Sequence, residues 1–152
     1  MFDKIHFSLL NKIHNMLFNF DSPLAPVCKK ISKKLDNKAS RNLLMWFAEE
    51  PEKRMLLGCH SCGDCAIVHT GFLCPESGCP KHTRNGACGG SENGICEVNK
   101  DKYCIWFRAY NRLAHAGQTS ELIKGWVPPR MWELDGTSSW LNFHLGRDHQ
   151  SS

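Results

Sequence analysis

The sequence predicts a small, irregular, metal-stabilised α-rich domain: N-terminal helices, a cysteine-rich loop core, then a C-terminal helix and an extended tail. Three observations predict it. Nine cysteines occur in 152 residues, and eight of them fall between Cys59 and Cys104. Apolar residues recur at helical spacing on either side of that segment and lose any period inside it. A chain of this length is expected to hold one small core with appended helices, and it leaves no room for a full (β/α)8 barrel. The organisation read from these features is a helical segment 1–57, a cysteine-rich core with its following helix 58–117, and a docking tail 118–152.

In the first segment Phe2, Ile5, Leu9, Ile13, Met16 and Phe20 recur at steps of three and four, the pattern of one face of an amphipathic helix. Phe7, Leu10, Leu17 and Phe18 widen that stripe, so the helix is expected to pack against something large. After the break at "DSPLAP" a second helix is predicted. Leu24, Cys28, Ile31 and Leu35 form its inner face, and Lys29, Lys30, Lys33 and Lys34 its solvated one. Cys28 reads as a core thiol. A third helix is predicted from Ser40, an N-cap residue, to a stop at Pro51.

The stretch "SGCPKHTRNGACGGSENG" carries turn punctuation and no apolar period, so it needs some other source of order. Metal–thiolate bonds supply such order, because binding free energy then becomes folding free energy. Beyond it, a helix from about Lys102, capped by Asp101, would place Tyr103, Phe107, Tyr110 and Ala114 on one face, with Gly117 past its end. Pro128 and Pro129 enforce an extended stretch. A short helix follows from Thr137 or Ser138 to Leu145, with Gly146 as its stop. Trp126, Trp132 and Trp140 read as core anchors.

The chemistry is carried by "LGCHSCGDCAI". Cys59, Cys62 and Cys65 form the C-x2-C-x2-C run that supplies three corners of a cubane cluster, with a fourth thiolate from elsewhere. Structural zinc more often uses C-x2-C pairs separated by a longer loop. Cys74, Cys79, Cys88, Cys96 and Cys104 bring the total to eight, enough for two four-thiolate sites. The pattern therefore points to one or two [4Fe–4S] clusters, with zinc an alternative at one site and His60, His69 or His82 as substitutes for a thiolate. Which later cysteine joins the first run stays open. Trp106 and Phe107, beside Cys104, would shield a cluster from water.

Compartment and charge narrow the partners. The N-terminus is broken by Asn11, Lys12, His14 and Asn15, so it does not read as an export signal. No apolar run reaches the roughly 18 residues of a membrane span. A cytoplasmic chain with reduced thiols is expected. Residues 1–58 carry ten Lys and Arg against six Asp and Glu, while residues 59–152 carry nine of each. No basic stripe accompanies the cysteine loops, which argues against nucleic acid.

At "RNGACGG", Arg84 to Gly90, the chain resembles the methylenetetrahydrofolate reductase C-terminal cysteine-rich domain family, MetV-type where it is a separate subunit. "CHSCGDC", "GFLCPESGCPKHTRNG", "GICEVNKDKYCIWFRAY" and the tail "VPPRMWELDGTSSWLNFHLGRDH" belong to the same resemblance, which covers about Leu57 to His149. Ala87 stands where the family has proline, so a softer loop is expected there. The resemblance implies a non-catalytic electron-transfer subunit. It would serve a flavin-bearing (β/α)8 reductase partner, MetF-type, with further redox subunits or ferredoxin as its own contacts. A zinc-stabilised docking subunit and an electron donor for corrinoid activation are the alternatives.

Overall fold

The structure, a computed structural model, describes residues 2–124 and 126–151. The side chains of residues 2–6, 48, 52, 56 and 151 fall outside that description, and with them the predicted Phe2 and Ile5 positions of the first stripe. The described residues are mostly helical and form no sheet; isolated bridges alone join Ile95 to Glu92 and to Tyr103. The chain divides into two compact units, one of residues 12–65 with 130–152 and one of residues 1–11 with 66–129. Among the described residues no helix is long and apolar enough to cross a membrane.

In the 12–65/130–152 unit, the predicted helices form but turn different faces inward. Helix α1 (Phe2–Leu17) enters this unit at residue 12, and its Ile13 and Met16, together with Phe20 beyond its end, are exposed. Phe18 instead meets the ring of Phe143 at 5.6 Å between centroids, and Phe20 stacks on Phe143 at 4.2 Å while staying half exposed. Helix α2 (Ala25–Leu35) buries Cys28 and Ser32 and leaves Leu24 and Ile31 outward. Cys28 is thus the core thiol expected, on a face rotated from the one predicted. Arg147 donates two hydrogen bonds to Asp36, at 3.0 and 2.6 Å, just past the end of α2. These bonds hold the Asp36 carboxyl below its ordinary value.

Helix α3 (Lys38–Leu44) begins earlier than predicted, because the Asn37 side chain accepts the Ser40 N–H at 2.9 Å and caps it. The predicted stop at Pro51 is also corrected. A π turn (Met45–Glu49) leads into α4 (Glu50–Leu57), and Pro51 falls in the first turn of α4, where a missing N–H costs no helical bond. Gly58, left-handed at φ +59°, ends α4. Helix α7 (Ser139–His144) follows Ser138, whose hydroxyl accepts the Leu141 N–H at 3.1 Å. It contributes Leu141, Phe143 and His144 to the core.

In the 1–11/66–129 unit, Phe7 is buried against Phe72, with ring centroids 5.7 Å apart. The short helix α5 (Pro75–Gly78) and the longer α6 (Ile105–His115) frame a core of Leu73, Cys79, Cys104, Ile105, Trp106 and Ala109. Helix α6 starts at Ile105 rather than Lys102, and its inward face is Ile105, Trp106, Ala109 and Leu113. The predicted face of Tyr103, Phe107 and Tyr110 is exposed. Two of the predicted anchors are corrected as well: Trp126 is 74% exposed in this unit, and Trp132 is 72% exposed in the other.

His144 yields a test of the packing. Burial holds its imidazole below the ordinary 6.5, with Lys29 acting in the same direction and the Leu17 carbonyl and Asp148 opposing. The folded chain therefore favours the neutral ring, whose Nε2 lies 2.8 Å from the Leu17 carbonyl oxygen. Because the unfolded chain takes up the proton first, stability is complete above about pH 6.5 and falls as pH drops below it. The urea midpoint is expected to fall between about pH 7 and pH 5.5, and to fall less in His144→Gln.

Candidate functional site

The predicted ligands lie in two places, one in each unit. Cys59, Cys62 and Cys65 sit on the loop after α4, and this loop is fixed by hydrogen bonds from the C-terminal segment. The Ser61 carbonyl accepts the Gly136 N–H at 2.9 Å, and the Gly63 carbonyl accepts Nδ2 of Asn142 at 2.9 Å. The Cys65 carbonyl accepts Nε2 of Gln150 at 2.7 Å. Asp64, with no exposed surface, takes the N–H of His149 at 3.2 Å on Oδ1, the His149 Nδ1 on the same oxygen, and the Met131 N–H at 3.5 Å on Oδ2.

The thiols of this loop are engaged locally. Cys59 Sγ accepts the Ser61 N–H at 3.3 Å, and Cys62 donates to the Asp64 carbonyl at 3.5 Å. Lys53 stands near Cys59 and Cys65. Burial alone would lower its pKa, but Glu49 and then the two sulfurs hold it above its ordinary 10.5. Its ammonium pairs with Glu49 and donates to Ser139 Oγ at 2.7 Å.

The other place is a pocket of about 330 Å³ of empty space, open in part to solvent, lined by Cys79, Cys88, Cys96 and Cys104 together with Glu97 and Trp106. Cys79 is its best-defined thiol. Its sulfur lies 3.2 Å from Thr83 Oγ1 and receives the backbone N–H groups of Thr83, Lys81 and His82. Burial pushes the thiol up, but these donors together bring it below its ordinary 9.0. Thr83 also receives Nε1 of Trp106 on Oγ1 at 2.9 Å, so one hydroxyl ties the thiol to the indole. Cys88, exposed, donates to Glu97 Oε1 at 3.3 Å, and Lys81 pairs with the same carboxylate. Gly90 lies beside it, and a Cβ there would meet the Glu97 carboxyl group, which would have to move aside. Cys74 is buried at the start of α5 and does not line the pocket.

The cofactor expectation is corrected by this geometry. Among the described residues no group of three or more His, Cys, Asp or Glu side chains is placed to hold a metal ion, whether as one or two [4Fe–4S] clusters or as zinc. All nine cysteines are free thiols. The physical reason is visible in Cys59, Cys62, Cys79 and Cys88, whose sulfurs are directed at nearby N–H, carbonyl, hydroxyl or carboxylate groups rather than at a common centre.

Sequence reasoning passed over Asp64, His149, Thr83 and Lys53. Asp64 was in view inside the cysteine run, but its partners stand 67 and 85 residues away, and no local pattern announces them.

A small α-rich domain with two cysteine loops, held by long-range polar contacts, is the class this structure defines. Residues 38–133 match the family described as methylene-tetrahydrofolate reductase C terminal, and the chain belongs to that family. No curated protein and no solved structure matches it.

Two measurements check the site. A Cβ at Gly63, where φ is +73°, would lie 2.0 Å from the Leu134 carbonyl oxygen. Gly63→Ala should therefore lower stability by at least about 2 kcal/mol. Gly136→Ala, at φ +69° with open space around it, should cost only the backbone term of about 1–2 kcal/mol. Urea denaturation of both variants makes the comparison. For the thiols, timed alkylation read by mass spectrometry should label exposed Cys88 before buried Cys62, Cys74 and Cys104, with nine labelled after unfolding. Stoichiometric iron with sulfide, or zinc, in the same preparation would contradict a chain of nine free thiols.

Proposed function

We propose that this chain is a non-catalytic accessory module of methylenetetrahydrofolate reduction, one that docks on the flavin-bearing catalytic chain and supports it. The observation that carries this reading is the family match over residues 38–133. It is supported by the architecture: the described residues form no sheet, and so no barrel on which a flavin or folate site of the usual kind could be built. Catalysis then belongs to the partner. The two cysteine loops are the module's ordered surfaces, the first fixed by Asp64 and the second by Cys79 and Thr83.

The test uses the full chain and the flavin-bearing methylenetetrahydrofolate reductase chain of the same organism, both purified. Co-elution on size exclusion is expected, with a rise in the catalytic chain's thermal midpoint as this chain is added, because binding to the native state alone stabilises it. Separate elution and an unchanged midpoint would remove the reading.

A further inference from the structure

The 12–65/130–152 unit leaves an apolar stripe outside its core on α2. Leu24, just before the helix, Val27 and Ile31 follow one another at steps of three and four and are 39, 51 and 45% exposed, and Ile13 and Met16 on α1 are exposed as well. The spacing is that of helix knobs which fill a groove on another body. The inward faces of the same helices are already used, through Phe18 against Phe143 and through Cys28 and Ser32. The turn between the helices is tied down, with Ser22 Oγ donating to the Met16 carbonyl at 2.9 Å and the Ala25 N–H to the Ser22 carbonyl at 2.9 Å.

The charge beside the stripe says what kind of surface covers it. Lys12, Lys29, Lys30, Lys33 and Lys34 are all exposed, and Asp21 is the one acidic residue between positions 12 and 35. Helix α2 contains no Asp or Glu, and Lys30, Lys33 and Lys34 form no ion pair among the described residues. A second copy docking by this face would bring lysines against lysines, which costs rather than gains. A lipid surface suits the stripe less well, since residues 12–35 contain no Trp or Tyr to sit at a headgroup boundary. The face precedes residue 38, where the family match begins.

We infer that the exposed α2 stripe of Leu24, Val27 and Ile31 with the α2 lysines is the docking face for a protein surface whose apolar strip is edged by Asp and Glu carboxylates. This rests on the proposed function, in which that surface belongs to the flavin-bearing reductase chain. Binding is steered by the lysines and held by the aliphatic knobs, so it weakens as salt rises.

The experiment is a calorimetric titration of the full chain into the purified reductase chain at low and high salt. It compares wild type with the triple variant K30E/K33E/K34E, the double variant V27D/I31D, and K102E as an exposed control in the 1–11/66–129 unit. Circular dichroism and thermal midpoints check that each variant is folded. The triple variant should weaken binding at least about tenfold, with the loss largest at low salt, and V27D/I31D should weaken it at least about tenfold at either salt, while K102E binds as wild type. If V27D/I31D fails to fold, the triple variant decides alone. A complex that both variants form as tightly as wild type would overturn this face and leave the proposed function standing. A wild-type chain that forms no complex would overturn both. Lysine-dependent sedimentation with phosphatidylglycerol vesicles, or a dimer of this chain dissolved by the same substitutions, would also overturn it if the reductase complex is untouched by them.

Discussion

The buried carboxylate of Asp64 is the interaction on which the 12–65/130–152 unit depends. A carboxylate with no exposed surface costs several kcal/mol unless donors surround it. Its donors come from Met131 and His149, far along the chain. The loop that carries Cys59, Cys62 and Cys65 therefore depends for its order on the C-terminal segment, which is itself anchored on Asp36 through Arg147 and on Phe18 through Phe143. Asn142 on Gly63 and Gln150 on Cys65 act in the same direction. Such dependence lets a loop without an apolar period hold one conformation. It also makes Gly63 intolerant of a side chain, because the Leu134 carbonyl occupies the space a Cβ would need.

The second cysteine loop solves the same problem with a hydroxyl. Thr83 stands between the Cys79 sulfur and the Trp106 indole, and its hydroxyl meets both. Three backbone N–H groups converge on the same sulfur, so its negative form is favoured without any cation in contact. At the pocket's rim, Glu97 draws Lys81 and Cys88 together, and hydrogen bonding to Lys81 in the first place lowers the Glu97 pKa. The sulfurs that local spacing presents as ligands are thus distributed among separate small networks. Sharing a pocket does not make four thiols a coordination sphere unless their sulfurs point at one centre, and here two of them are turned to partners of their own.

Helices were legible in the sequence because period alone announces them, and the inward faces were not. In α1 two apolar stripes compete, and the residues that widen the expected one, Phe7 and Phe18, make the contacts. In α2 a serine, Ser32, takes a fully buried position while Ile31 stays outside, a choice no hydropathy pattern favours. Helix α6 repeats the lesson, since Ala109 and Leu113 are buried completely and the aromatic residues Tyr103 and Tyr110 are not. The caps Ser138 and Gly146 and the turn at Gly117 followed from local chemistry and stand where they were read. Pro51 misled because a proline stops a helix only where its own missing N–H is needed, and here it falls in the first turn of α4, after the π turn. The Asp64 and Thr83 networks lay beyond reach for a different reason: their members are polar and distant, and each is ordinary in its own neighbourhood.

The exposed α2 stripe of Leu24, Val27 and Ile31 has a physical logic that a misread core would lack. An apolar residue left outside by accident has neighbours of any charge, whereas here the apolar positions run beside lysines that have almost no acidic counterweight. That arrangement disfavours contact between copies of the chain through this face, since like charges would meet across it. It also leaves the gain from burying the stripe available to a surface of opposite sign. The Asp36 carboxylate, which would otherwise offset the lysines at the end of α2, is taken up by Arg147 and Arg41. Pairing Asp36 with arginines leaves the α2 lysines less offset, so the fold and the charge pattern select the same kind of partner.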